Sequence, residues 1–272
     1  MLPMILLDWI NPENLNWVYL SKNYNAIEML KSNPSKINWG LLSCNKNAIE
    51  MLKTNTDKIN WGLLSCNKNA IEILRENFNK INWDLLATNR NAMEILKDHP
   101  DKIYWSLLSS NASAIEILKE NKTEINWTYL SQNPAAIKLL KENPTKIDWG
   151  ELSLNPNAIN LLRENKSKID WCILSANHNA IELLKENPEK INWRSLSANP
   201  GAMDYLKQNQ DKIDWDMLST NPAIFTYDYE KLQNYNQDLK EEIIAGALNP
   251  SRLFKLMREY DEEEVHNAYF NY

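Results

Sequence analysis

An all-α solenoid of ten stacked 22-residue units is the fold this sequence predicts, and three observations predict it. Tryptophan recurs at a constant step, apolar residues within each step follow the helical period, and Asn and Pro mark where helices begin and end.

The step comes first, because a missed repeat misassigns a whole fold. Trp17, Trp39, Trp61, Trp83, Trp105, Trp127, Trp149, Trp171, Trp193 and Trp215 follow one another every 22 residues without insertion or deletion. Numbered from its Trp, a unit reads W-x-x-L-S-x-N-x-x-A-I-x-h-L-K-x-N-x-x-K-I-N/D with h apolar, as in WGLLSCNKNAIEMLKTNTDKIN from Trp39 to Asn60. Position 4 is Leu and position 7 is Asn in all ten units.

Each unit predicts a short helix and a longer one. Asn or Asp at position 22 caps a turn or two of α or 3-10 helix carrying Trp at position 1 and Leu at position 4. Asn at position 7, followed by Pro in Pro134, Pro156, Pro200 and Pro222, starts a second helix over positions 8 to 16. Its apolar face is positions 10, 11, 13 and 14, as in Ala136, Ile137, Leu139 and Leu140. Lys or Arg at position 15 and Asn at position 17 end it, with Pro next in Pro34, Pro100, Pro144 and Pro188. Asn is the best non-glycine residue for a left-handed cap, which suits a chain of many helix ends and 5 glycines.

The L-S-x-N string and the period also fit a leucine-rich repeat, whose strand needs an apolar residue two before that Leu. Position 2 holds Val18, Gly40, Gly62, Asp84, Ser106, Thr128, Gly150, Cys172, Arg194 and Asp216, so that strand fails. Helices remain, and the handedness of their stacking stays open.

A unit this small cannot bury its Trp, Leu and Ile alone, so stability must come from stacking in a quasi-one-dimensional array. With helices ~8–10 Å apart, ten units predict a rod or arc on the order of 90 Å long. The Trp row reads as its structural spine, each ring able to bury ~150–250 Å².

Residues 1–16 read as an N-terminal cap, a truncated repeat: Asn11-Pro12-Glu13-Asn14-Leu15-Asn16-Trp17 matches Asn33-Pro34-Ser35-Lys36-Ile37-Asn38-Trp39. Met4 to Ile10 would supply its abbreviated helix. The ten repeats span 17–236, the last degenerate, since Ala223-Ile224 comes one residue early and Phe225, Tyr227, Tyr229 and Tyr235 replace aliphatics. Residues 237–272 read as a C-terminal helical cap, with helices over 237–248 and from Pro250 to about Glu259, then the acidic run Asp261 to Glu264.

Composition bounds the function. The 272 residues, 43% hydrophobic and 24% charged, carry a net charge of −6, which excludes a bulk-basic domain but not a local basic stripe. Cys44, Cys66 and Cys172 lack metal-ligand or CxxC spacing, which points to a reducing compartment. The apolar opening MLPMILL has no basic region before it and is too short for a membrane span, so a soluble intracellular protein is expected. The 39 Asn, and 24 Lys against 6 Arg, suggest an AT-rich coding genome.

The unit from Trp127 to Asp148, Trp-x-x-Leu-Ser-x-Asn-Pro-x-Ala-Ile-x-Leu-Leu-Lys-x-Asn-Pro-x-Lys-Ile, resembles repeats in uncharacterised proteins of giant nucleocytoplasmic DNA viruses of the mimivirus and marseillevirus kind. Leu239 to Leu256, LKEEIIAGALNPSRLFKL, resembles a segment closing many of those proteins, often with His-Pro where this chain has Asn249-Pro250. The resemblance covers nearly the whole chain. It implies a viral source, in host cytoplasm or virion, and implies no chemistry.

Catalytic machinery is not visible. His99, His178 and His266 are scattered over the array, there is no Gly-rich phosphate loop, and GKS/T and GxSxG are absent. Cys44 and Cys66 share position 6 in successive units, without the further ligands a metal needs. No metal, cofactor or enzyme activity is expected.

Two surfaces remain. Position 20 gives a basic row, Lys36, Lys58, Lys80, Lys102, Lys146, Lys168, Lys190 and Lys212, with Glu124 as its exception; one charge per unit suits a phosphate backbone. Against it, Glu at position 12 pairs with Lys or Arg at position 15 on one solvated helix face, as in Glu28 with Lys31 and Glu116 with Lys119. Invariant Asn at positions 7 and 17 fits capping better than a base-reading code, which must vary.

Position 3 gives the other surface. Tyr19, Leu41, Leu63, Leu85, Leu107, Tyr129, Ile173 and Met217, with Glu151 and Ser195, form a mostly apolar stripe along the array. Exposed, it docks a protein; packed between neighbouring short helices, it is core, and the exposure of Leu63 and Leu85 decides. The expected function is a non-catalytic scaffold binding a host factor or virion component, with RNA or single-stranded nucleic acid on the Lys row as the alternative. No membrane association is expected, and self-association is open.

Overall fold

The computed structural model describes residues 3–247 of the chain, which are mainly helical with one two-stranded sheet. It divides into two compact units, Leu6–Phe225, which holds the repeats, and a second made of Met1–Ile5 with Thr226–Tyr272. The all-α repeat solenoid is what the sequence predicts, and the 22-residue register holds from repeat to repeat.

In each repeat the Trp opens a short helix, such as Trp39–Leu42 or Trp149–Leu154. The Asn or Asp side chain at position 22 caps it as expected, Asn38 Oδ1 accepting from Leu41 N–H at 2.9 Å, and Tyr104 is the one position 22 that does not cap. The second helix begins at position 11, as in Ile49–Lys53 or Ile137–Glu142, and is shorter than the nine residues expected. Positions 8 to 10 form a tight turn instead, because Asn at position 7 accepts from the N–H of position 9, as Asn45 does from Asn47 at 3.0 Å. A 3-10 turn such as Pro34–Lys36 closes the unit.

The left-handed caps expected at position 17 do not form. No described residue has a positive φ, and Asn33 sits at φ −135°, ψ 60°. Its side-chain amide donates to Met29 C=O at 3.0 Å, and Asn55 does the same to Met51 at 2.9 Å. An orphan helix carbonyl that the amide satisfies directly needs no left-handed residue to bring an N–H to it.

Leu at position 4, Ala at 10 and Leu at 14 form the fully buried column, as in Leu64, Ala70 and Leu74, each at 0% exposure. The Trp side chains, read as the spine, are half-buried in all ten repeats and lie at the edge of that column. Buried Ser at position 5 joins the two halves of its repeat: Ser43 Oγ donates to Trp39 C=O at 2.9 Å and accepts from Asn60 N–H at 2.9 Å.

The repeats are sewn together by Asn at position 7. Its Nδ2 donates to two backbone carbonyls of the preceding repeat, as Asn67 does to Ser43 at 3.0 Å and Asn45 at 3.0 Å. Capping alone allows Asp or Ser here. Only a primary amide accepts from its own turn and donates twice to the neighbour, which accounts for Asn in every repeat.

The same bonds join the last repeat to the first. Asn23 donates to Ser219 and Asn221, Asn25 donates to Pro222, and Asn16 N–H donates to Ser219 Oγ. The helix Trp17–Leu20 packs on Trp215–Thr220 as other neighbouring Trp helices do. The repeat body is therefore a closed ring, and the ~90 Å expected of an open rod or arc becomes its circumference. Closure through the standard bonds leaves no net rise per turn, so superhelical handedness does not arise.

Residues 11–16, read as a cap, complete the tenth repeat. The turn Pro12–Asn14 stands where Pro34–Lys36 stands in the first repeat, and Leu15 is buried like Ile59 and Ile81 at position 21. The helix expected over Met4 to Ile10 is replaced by strand β1, Met4–Leu6, paired with strand β2, Phe225–Tyr227. Leu7 N–H donates to Ile224 C=O and Asp228 N–H to Pro3 C=O, so the strands run antiparallel. Aromatic and β-branched residues at 225–227 favour the extended chain over a tenth second helix.

In a ring, the layer whose neighbours lie closer together has the smaller radius. Trp helices pack directly on one another at five junctions while no two successive second helices pack as closely, which puts the Trp helices on the inner wall. The second unit contains the helix Tyr229–Ala247, which starts eight residues before the 237 expected. The helix expected from Pro250 to Glu259, His266 and the run Asp261 to Glu264 lie outside the described residues.

Candidate functional site

Position 3 lies on the inner layer, and its side chains are neither buried nor free. Tyr19, Leu41, Leu63, Leu85, Leu107, Tyr129, Ile173 and Met217 are all half-buried, as are Glu151 and Ser195. A Cβ placed on Gly62 would sit 3.8 Å from Leu85 Cδ1, so Leu85 leans on the preceding short helix. The stripe thus falls between the two arrangements expected, neither fully packed as core nor fully exposed.

The basic row at position 20 is arranged differently from a phosphate track. Lys36, Lys58, Lys80, Lys146, Lys168 and Lys212 each lay Nζ over the Trp of their own repeat, 4.3–4.6 Å from the ring centroid. Each ammonium lids the exposed face of a half-buried indole, worth ~0.5–1 kcal/mol at such exposed sites. Lys102 departs from this, pairing with Asp101 at 3.6 Å, while Phe78 and His99 pack on Trp83. Lys190 is exposed.

The outer helix face is the solvated ion-pair face expected. Glu28 with Lys31, Glu50 with Lys53, Glu116 with Lys119 and Glu182 with Lys185 pair at 2.8–3.2 Å. Two arginines bridge repeats instead, Arg75 reaching Glu94 and Arg163 reaching Glu186, while Arg194 reaches Asp214 at the end of its own repeat.

A third surface lies at the edge where short helices end and second helices begin. A groove of about 320 Å³ runs across repeats one to four, lined by Lys22, Tyr24, Cys44, Lys46, Cys66, Asn67, Lys68, Thr88 and Arg90. These are positions 6, 7 and 8. Four cations line it and no carboxylate does. Lys46 Nζ lies 3.4 Å from the Tyr24 ring centroid, and burial together with the charge of Lys68 pushes its pKa below the ordinary lysine value. Sequence reading passed over this groove, although its signal was present: Lys or Arg at position 6 or 8 in four consecutive units and in none of the next six.

Cys44 and Cys66 lie in the groove with their thiols donating to Leu41 and Leu63 carbonyls, both at 3.1 Å. Burial pushes both thiols up, partly offset at Cys44 by Lys22. Cys172 is exposed. His99 belongs to the aromatic cluster with Phe78, and His178 is exposed four repeats away. Among the described residues no three His, Cys, Asp or Glu side chains come together as a metal site. No described helix is long and apolar enough to cross a membrane.

The fold and these surfaces define a class, the ring-closed helical-repeat protein with an asparagine ladder. No protein-family model, curated protein or solved structure matches the chain.

Proposed function

We propose that this chain is a non-catalytic scaffold that binds another protein on its repeat ring. The observation that carries the reading is where the repeats vary. The ladder, caps and core repeat almost unchanged, while position 3 passes from Tyr19 through Leu41, Leu63 and Leu85 to Glu151, Ile173, Ser195 and Met217. Those side chains are half-exposed on the inner layer. Chemistry that varies around a rigid frame suits recognition of one particular partner. A virus-infected cell or a virion as its setting belongs to the same proposal and rests on the resemblance of the repeats.

The test is capture of partners from lysate by the tagged full chain, with and without nuclease, beside the triple variant Leu41→Glu, Leu63→Glu, Leu85→Glu. The scaffold reading expects a nuclease-resistant protein that the folded triple variant loses. Undiminished capture by that variant sinks it. Capture lost with nuclease, and weakened steeply by salt, supports the alternative of RNA or single-stranded nucleic acid instead. Six of the eight position-20 lysines are already engaged on Trp rings, which weighs against that alternative.

A further inference from the structure

We propose that the cationic groove of repeats one to four binds an extended acidic peptide segment of a partner protein. The inference rests on the reading of the chain as a protein-binding scaffold and gives one of its surfaces a ligand chemistry.

Lys22, Lys46, Lys68 and Arg90 share this groove, and among the described residues none of them makes an ion pair. The contrast with the other arginines is informative. Of the four in the described residues, Arg75 and Arg163 each reach a carboxylate of the following repeat, Arg194 reaches one in its own, and Arg90 reaches none. The nearby glutamates are committed elsewhere, Glu50 to Lys53 and Glu94 to Arg75. A chain of net charge −6 thus keeps a local positive strip that the acids of the described residues leave uncovered.

The strip has a definite length. Beyond repeat four, positions 6 and 8 hold Ser110 and Ala112, Gln132 and Pro134, then Leu154 and Pro156, so the charge stops. Three repeat steps of ~10 Å correspond to about nine residues of extended chain at ~3.3 Å each. A nucleic-acid strand has no matching platform here, because Tyr24 is the one aromatic ring of the lining and Lys46 covers it. Carboxylates spaced along an extended peptide meet the cations without needing rings to stack on.

The experiment uses the full chain and a fluorescein-labelled decaglutamate, with decalysine and decathymidylate as parallel probes, read by fluorescence polarisation at low and raised ionic strength. Decaglutamate is expected to bind at low salt and to weaken as salt rises. The triple variant Lys46→Gln, Lys68→Gln, Arg90→Gln is expected to lose about tenfold in affinity, and the control Lys141→Gln, Lys185→Gln, Lys207→Gln none. In the unmodified chain, bound decaglutamate should slow alkylation of Cys44 and Cys66 and leave Cys172 unaffected. No binding at low salt, equal loss in both triples, unprotected groove thiols, or tighter binding of decathymidylate overturns the inference. Each of those outcomes leaves the scaffold reading standing as long as lysate capture still depends on Leu41, Leu63 and Leu85.

Discussion

The side-chain amide of Asn23, in the first repeat, donates to the backbone carbonyl of Asn221, in the last, at 2.8 Å. Asn45 makes the same bond to Asn23 at 2.9 Å across a junction that the chain also joins covalently. The seam between the ends and an ordinary repeat junction thus have one chemistry, and only the covalent link differs.

That difference predicts unequal consequences for one substitution at two places. Asn23→Asp removes both donors to Ser219 and Asn221 and sets a carboxylate against two carbonyls, costing roughly 3 kcal/mol or more. Asn133→Asp removes the matching bonds to Ser109 and Asn111 at a similar cost. The chain still holds the repeats together at 133, whereas at the seam only the remaining non-covalent contacts do, such as Asn25 to Pro222 and Asn16 to Ser219. X-ray scattering should show a larger maximum dimension for Asn23→Asp than for Asn133→Asp, and equal dimensions would mean that the ladder does not hold the ring shut.

The fourth repeat lacks a bond pair that its neighbours have, and restoring it should stabilise the chain. Ala87 stands where the others carry Ser, and Tyr104 stands in the capping position and caps nothing with its side chain. Ala87→Ser with Tyr104→Asn restores a hydroxyl for Trp83 C=O and the N–H of residue 104, and a cap for Leu107 N–H. The gain should be about 1–2 kcal/mol, with the double change exceeding the sum of the singles. Thermal denaturation of the four-member cycle measures it.

The thiols carry a pH dependence of definite sign. Burial holds Cys44 and Cys66 above the ordinary thiol pKa, so the folded chain keeps protons there that the unfolded chain has lost. Stability is therefore fully present below about pH 8.5 and declines as pH rises past it. Exposed Cys172 should be alkylated first at neutral pH, with Cys44 and Cys66 following only at alkaline pH. Mass spectrometry of a timed iodoacetamide reaction gives the order, and early labelling of Cys66 contradicts it.

Much of this was legible in the sequence, and what was not has one physical cause. Helix starts at Trp and the caps at position 22 are decided within a few residues, so local chemistry reveals them. Closure depends on how much closer the inner helices pack than the outer ones, a small difference per repeat that no single unit displays. The match of Asn11 through Trp17 to Asn33 through Trp39 was visible, but whether it ends an array or completes its tenth repeat turns on that curvature. At Asn45 the accepting half of the amide was legible as a cap, and the donating half was not, because its acceptors lie 22 and 24 residues away. Lys58 over Trp39 is hidden for the same reason, since a separation of 19 residues matches no helical spacing.

Two glycines separate close backbone approach from mere tolerance. A Cβ on Gly201 would lie 2.7 Å from the carbonyl oxygen of His178, a backbone atom of the preceding repeat, and 3.2 Å from Ile181. Neither neighbour moves without disturbing the junction, so Gly201→Ala should cost about 1–3 kcal/mol. A Cβ on Gly40 would meet only the Asn38 side chain at 3.2 Å, at a helix position where other repeats carry Asp84 or Ser106. Gly40→Ala should therefore be neutral or gain up to about 1 kcal/mol from helix propensity. Urea denaturation of the two variants checks the opposite signs. Equal effects would mean that repeats eight and nine do not approach closely enough at Gly201 to require the missing side chain.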